Sequence, residues 1–446
     1  MARRPKSPAT EPPDAGLRRR RPGRAAAAGQ DLAPERTTRR EGRSRKRQRE
    51  DQPEEVTGAR SDPALVVTDP DDPRSAPSAA GGWSETILTV PQALILPTNG
   101  RGMVQVGGVF DAQGGFVDQA VHWRRGQALL TPPKAPPRAK AARHLPGCWM
   151  WGGILLNHFG HFLTESTPRL WAIGALKDQL DGLVFLHKRN GEVANLHRTF
   201  MALMGLDLPI HIVSDPTVIE DLRVPGQGFG LGRISVGTAA FRAFFAEGFA
   251  PDIAPDGPER LYVSRSALGP RRGGVLGEEF IETHLARHGY EIFHPQHHPM
   301  PVQIARYRAA REIVALDGSA LHLAAFCGRQ GLRVAMIRRR NSSMSNAIAL
   351  HLAAFTQAKP AVIDAVLADW VLKGRGGADR FSLGELDMPA LQAQLQALGF
   401  IGAEPSPWPG LDPAWRDDQI ARLRREFRKD YLRVPRPGPS RDLGAS

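Results

Sequence analysis

Leu261-Tyr262-Val263-Ser264 leading into Arg265, Glu278 to His288, Tyr290-Glu291-Ile292-Phe293, Pro301 to Ala310, Glu312-Ile313-Val314-Ala315-Leu316, Ala320 to Cys327 and Leu332 to Ile337 read in turn as strand, helix, strand, helix, strand, helix, strand. Gly289 stops the first helix, Pro295 closes the second strand, and Asp317-Gly318-Ser319 turns out of the third. Strands that alternate with helices of about ten residues predict a parallel sheet covered on both faces. Such a sheet binds ligands outside the carboxyl ends of its strands. Arg265 and Gly318-Ser319 stand at two of those ends.

Upstream the alternation repeats. Ile87 to Val90, Leu94 to Leu96, Met103 to Val106 and Val109-Phe110 read as short strands, and Thr131 to Pro137 as a Pro-rich joint. Trp149 to Leu156 is an apolar run entering a helix that carries Asn157 to Trp171. Leu183 to Leu186 and Ile210 to Val213 are strands around a helix from Val193 to Met204, and a further helix spans Val236 to Phe249. The expected class is α/β, as two α/β halves over 82–250 and 251–375. Amphipathic helices over 376–434 follow, the last packing through Ile420, Leu423, Phe427 and Tyr431, and a frayed end over 435–446.

The net charge of +13 suggests a nucleic-acid or membrane partner until it is located. Residues 1–49 hold 16 Arg and Lys against 5 Asp and Glu, which leaves +2 for the other 397 residues. The basicity therefore belongs to a tail, and nucleic acid is not the expected partner of the body. Residues 1–81 contain no aromatic side chain and are expected to be disordered, either a solvated extension or a tail that touches an anionic membrane surface or nucleic acid. No apolar stretch is long enough to cross a membrane or to open the chain as a secretory leader. Cys148 and Cys327 are too few for a disulfide framework and read as buried thiols of a reducing compartment.

Three groups of residues could carry chemistry. His158, His161 and Glu165 fall on one face of a helix, and His161 and Glu165 at i and i+4 can hydrogen-bond. That pairing fixes one imidazole tautomer and suits a general base; a satisfied core pair explains it too. A metal site is not expected, since the spacing is not His-Glu-x-x-His and His294, His297 and His298 lie in a Pro-flanked loop. Arg265, with Arg271 and Arg272, offers guanidinium groups that match phosphate oxygens, or else solvated loop cations. The turn Asp317-Gly318-Ser319-Ala320-Leu321-His322 combines a glycine with a helix start, where free N–H groups favour anions; a plain N-cap reads the same way. No Gly-x-Gly-x-x-Gly follows a strand, which disfavours a dinucleotide enzyme. No Asp-x-Asp follows one either, which leaves phosphate neutralisation to arginines.

Asn157-His158-Phe159-Gly160-His161-Phe162-Leu163-x-Glu165-x-x-Pro168-Arg169-Leu170-Trp171 resembles the first signature of glycosyltransferase family 61. Tyr262-Val263-Ser264-Arg265 with Arg272, Glu278 and Gln303, and then Gly318-Ser319-x-Leu321-His322, resemble its second and third, in order over roughly 83–345. The resemblance implies a GT-B-like architecture, two Rossmann-like α/β domains facing a cleft, with the acceptor on the N-terminal side and a nucleotide-sugar on the other. It implies inverting transfer, commonly from UDP-sugars, with no cofactor and no metal. Carried over by position, Arg265, Arg272, Gly318 and Ser319 would hold the donor diphosphate, and Glu278, Gln303, Asp317 and His322 would line the donor site. His161, with Glu165 and His158, would supply the proton chemistry. This chain has Asp317 where relatives often carry His, and Gly277-Glu278 where they often carry Asn-Glu. Without a Golgi anchor it resembles the soluble bacterial branch, cytoplasmic or peripheral at the inner membrane, glycosylating a glycan or lipid-linked glycan of surface polysaccharide. Closure of the two halves would exclude water. The alternative reading is a non-catalytic scaffold that binds nucleotide or glycan, motivated by the repulsion between Asp317 and a diphosphate.

Overall fold

The computed structural model describes residues 69–98, 102–134, 142–187, 191–269 and 272–436, all within one compact unit, 56–446. The basic tail as far as residue 68, Arg271 and the end from 437 lie outside the described residues. The chain forms a mixed α/β fold with two largely parallel sheets.

The first sheet holds β1 (Ile87–Leu96), β2 (Gly108–Phe110), β3 (Arg143–Leu155), β4 (Gly182–His187), β5 (Ile210–Val213) and β6 (Thr217–Pro225), in the order β2-β1-β6-β3-β4-β5. β6, β3, β4 and β5 run parallel, while β1 is antiparallel to both neighbours. The run at Trp149–Leu155, expected only to lead into a helix, is itself the end of the long central strand β3. Its near-continuous apolar character belongs to a strand buried on both faces, which periodicity alone does not separate from a buried helix. Gly152 is required there: a Cβ would stand 2.1 Å from the Phe185 ring.

The second sheet holds β7 (Arg260–Val263), β8 (Glu291–Phe293), β9 (Glu312–Leu316), β10 (Arg333–Ile337) and β11 (Ala361–Ile363), all parallel in the order β8-β7-β9-β10-β11. The helices that link them are Glu278–Arg287, Met300–Ala309, Ala320–Cys327 and Met344–Thr356, the first three within one residue of the sequence expectation. Alternate strand residues point to opposite faces. Tyr262, Val314, Leu316, Ala335 and Ile337 pack with Ile281 and Leu285, whereas Leu261, Val263, Ile313, Ala315 and Met336 pack with Ile304, Tyr307 and Leu321. The helices therefore lie on opposite faces, and the strand order reverses between β7 and β9. That is the switch point at which such sheets leave a crevice.

The stretch 376–434, expected as helices, also supplies strands. Leu383–Leu386 and Tyr431–Pro435 flank Val366–Leu372 in a small sheet. Glu385 fixes it, accepting hydrogen bonds from Trp370, Arg416 and Arg433. The helix Pro413–Phe427 packs through Ile420 and Leu423, with Tyr431, on Leu276, Trp370 and Leu383. Among the described residues no helix is long and apolar enough to cross a membrane.

One apolar core joins the two large sheets. It runs from Leu155, Phe185 and Phe200 to Ile304, Ala315 and Leu321. At its centre Phe326 stacks on Phe245 at 4.3 Å and meets Phe229 and Phe355 edge-on. Because Phe326 sits on the helix that begins after Ser319, this packing also fixes the turn at the end of β9. Phe326→Ala should lower unfolding free energy by about 3–5 kcal/mol, as for other buried aromatics cut to alanine. Urea denaturation measures it; a loss under about 1 kcal/mol would mean the cluster is not the joint.

Candidate active site

Past β3 the chain turns at Asn157-His158 into one α-helical turn, Phe159–His161, which widens into a π-helix over Phe162–Ser166. A single regular helix was expected. The Thr164 hydroxyl donates to the Gly160 carbonyl and that of Thr167 to Leu163, back-bonds that bend a helix, and Pro168 prevents its continuation. Ser166 anchors the turn by donating to the Ile154 carbonyl and accepting from Leu156 N–H.

In this bent turn His161 Nδ1 lies 2.5 Å from Glu165 Oε1. The carboxylate can only accept, so Nδ1 carries a proton, and in the neutral ring Nε2 keeps its lone pair. Glu165 is 2% exposed and His161 32%, so the imidazole is the open member. His122 Nε2 and Arg124 Nε approach the other carboxylate oxygen at 3.6 and 3.5 Å. Burial alone would raise the Glu165 carboxyl, but His122, His161 and Arg124 hold it well below the usual range. Beside this pair, the His158 ring centre lies 4.8 Å from that of His161. Burial pushes the His158 pKa down to about 4, helped by His161, Arg272 and Arg380.

The crevice between β7 and β9 is lined by arginines. Arg265 follows β7; Arg339 and Arg340 follow β10. Arg265 Nε, Arg339 Nη1 and Arg340 Nε are buried and have no hydrogen-bond partner among the described residues. Burial, with Arg339 next to each, lowers Arg265 and Arg340 to about 10. Asp317 is 2% exposed and does not face the crevice uncompensated: Arg339 Nε lies 3.0 Å from its Oδ1 and also donates to its carbonyl. Burial nevertheless pushes the Asp317 carboxyl up, against the pull of Arg339, Arg340 and Arg265. Guanidinium groups that each keep a buried nitrogen without a partner, beside a helix start, are the composition of a site for a multivalent anion.

Two glycines allow close approaches here, Gly160 between the histidine turn and the second sheet and Gly318 within that sheet. A Cβ on Gly160 would stand 2.4 Å from Ser319 Oγ, and one on Gly318 would stand 2.8 Å from Arg265 Nη1. His161 therefore follows the residue that touches the anion-site turn. His322, one helical turn beyond Ser319, is close enough for His161 to help burial lower its pKa to about 4.

The other residues singled out in the sequence divide. Glu278, at the start of its helix, accepts hydrogen bonds from the Arg265 backbone N–H at 2.8 Å and the Tyr262 hydroxyl at 3.0 Å, so it holds Arg265 from behind. Arg272 is exposed, and its carbonyl accepts from Arg265 Nη2. Gln303 bonds the Pro295 and His298 carbonyls and so ties down the His294–His298 loop. His122, Arg124, Arg339, Arg340 and Arg380 were not picked from the sequence. Only Arg338-Arg339-Arg340 left a signal, a basic run at a strand's carboxyl end. Among the described residues no three His, Cys, Asp or Glu side chains gather to hold a metal ion.

Fold and site thus define an α/β protein with an imidazole–carboxylate pair facing an arginine-lined crevice. Residues 159–334 match the family model Glycosyltransferase 61, which supports a glycosyltransferase. The match spans His161, Glu165, Arg265, Gly318 and Ser319 and ends before Arg339 and Arg340. No curated protein matches the chain.

Gly318→Ala should push the Arg265 guanidinium aside and lose a charged hydrogen bond of about 1.5–3 kcal/mol. Calorimetry should then show inorganic pyrophosphate binding at least roughly tenfold weaker; unchanged affinity would move the anion elsewhere. Glu278 makes a separate, pH-dependent prediction. Burial raises its carboxyl to about 7 from an ordinary 4.5, so the folded state holds a proton that the unfolded state releases. That stability is complete below about 4.5 and is lost as pH rises through about 7. Compared with wild type, Glu278→Gln should lack this fall in unfolding free energy; parallel curves for the two proteins would refute it.

Proposed function

We propose that the protein is an inverting glycosyltransferase of GT-B-like arrangement. It moves a hexose or pentose from a nucleotide-sugar, a UDP-sugar, to a glycan acceptor without a metal. The half over 82–250 takes the acceptor and the half over 251–375 the donor. The observation that carries this reading is the half-open His161, backed by buried Glu165 and set through Gly160 against the arginine crevice.

His161 Nε2 accepts the proton of the acceptor hydroxyl as its oxygen forms a bond to the anomeric carbon. The bond from that carbon to the diphosphate oxygen breaks on the opposite face, so the configuration inverts. The departing charge is taken up by Arg265, Arg339 and Arg340 and by the N–H groups at Gly318-Ser319. Glu165 stabilises the imidazolium and holds its tautomer, in the way a buried carboxylate does behind other catalytic histidines. The pairing of Asp317 with Arg339 favours a working diphosphate site over the scaffold reading. Surface-polysaccharide synthesis in a bacterial cytoplasm, with the basic tail touching anionic membrane and a lipid-linked acceptor within reach, completes the proposal.

Steady-state kinetics with UDP-sugars test it. His161→Ala should lower kcat by about 10²–10⁴-fold, the usual contribution of a general base, while donor KM changes little. Arg265→Ala should act mainly on donor binding. Full turnover in the His161 variant would sink the mechanism.

A further inference from the structure

Resting on that transferase reading, we propose that His351 is a positioning residue: it fixes the tautomer of His322 so that His322 presents Nε2–H, as a donor, to the diphosphate leaving from the crevice.

The two side chains meet Nδ1 to Nδ1 at 2.9 Å, and both residues are buried, at 5% and 0% exposure. Burial holds both imidazoles in the neutral form, so each has one N–H and one lone pair. One Nδ1 must donate and the other accept, and choosing one ring's tautomer chooses the other's.

The surroundings break the tie. His351 lies among Phe229, Phe326 and Phe355, with ring centres 4.6 to 4.7 Å away, and its Nε2 is buried without a hydrogen-bond partner among the described residues. Were His322 the donor, His351 would leave an N–H orphaned among those rings. Orphaned buried N–H groups are rarer than under-used acceptors. With His351 donating, its Nε2 is a bare nitrogen and His322 carries its proton on Nε2. His322 lies three residues past Ser319, which caps its helix, and its backbone N–H bonds the Ser319 carbonyl at 3.1 Å. Ser319 in turn touches Gly160, beside His161. A neutral donor here strengthens as charge builds on the leaving oxygen and needs no proton from solvent.

The first test needs no substrate. Imidazole ¹⁵N spectra of the histidine-labelled full chain, with His322 assigned through His322→Gln, should show Nε2 protonated and Nδ1 bare. The opposite tautomer overturns the proposal even if the protein proves an active transferase. The tautomer result also stands if no transfer is found, so the two readings fail separately. In turnover, His351→Phe should lower kcat by about three- to tenfold, the loss of one neutral hydrogen bond, with donor KM nearly unchanged. His351→Asn, whose side-chain N–H can replace Nδ1–H, should recover most of that loss. Equal damage in both variants, or lowered stability with unchanged kcat, would make His351 structural only.

Discussion

The structure turns on an electrostatic imbalance at the carboxyl end of its second parallel sheet. Arg265, Arg339 and Arg340 gather there, and among the described residues only Asp317 is ion-paired with any of them. Taking an ion out of water costs several kcal/mol in a real protein, so such a cluster persists only where the rest of the fold holds it. Glu278 bonds the backbone that carries Arg265, the Arg339 guanidinium clasps both the carboxylate and the carbonyl of Asp317, and Arg340 reaches the Asp379 carbonyl. Each tie leaves some guanidinium nitrogen unanswered. A bound polyanion would supply the missing partners.

A second condition is steric. The imidazole–carboxylate pair follows the first sheet and the arginines the second; Gly160 lets the first lie against Ser319, and Gly318 leaves room for Arg265 beside that turn.

Much of the second sheet was legible because its strands are short and punctuated: Gly289, Pro295 and Asp317-Gly318-Ser319 mark turns whose chemistry is local. The first sheet was harder. Trp149 to Leu155 is apolar throughout, and a strand buried on both faces has no period to read. The pairing of His161 with Glu165 could be read because i and i+4 contacts belong to one element, although the turn that carries them proved π-helical. His122 and Arg124 approach Glu165 from about forty residues upstream through a tertiary contact that no local pattern encodes. Arg339 and Arg340 fell just beyond the last strand of the run and acquire meaning only once the sheet order places them beside Arg265.

The shared aromatic core has a consequence for how substrates come and go. Rocking the two sheets apart would draw Phe326 and its neighbours from one another, at roughly 2–3 kcal/mol per ring returned to water. Several rings would be exposed together, so wide-open states are scarce. The rim is less tightly built: Arg272 and Arg380 are exposed there, and Arg380 rests 4.7 Å over the Phe381 ring. The molecule is better compared to a fixed berth than to a hinged jaw, and an anion held in it would enter and leave at its edge.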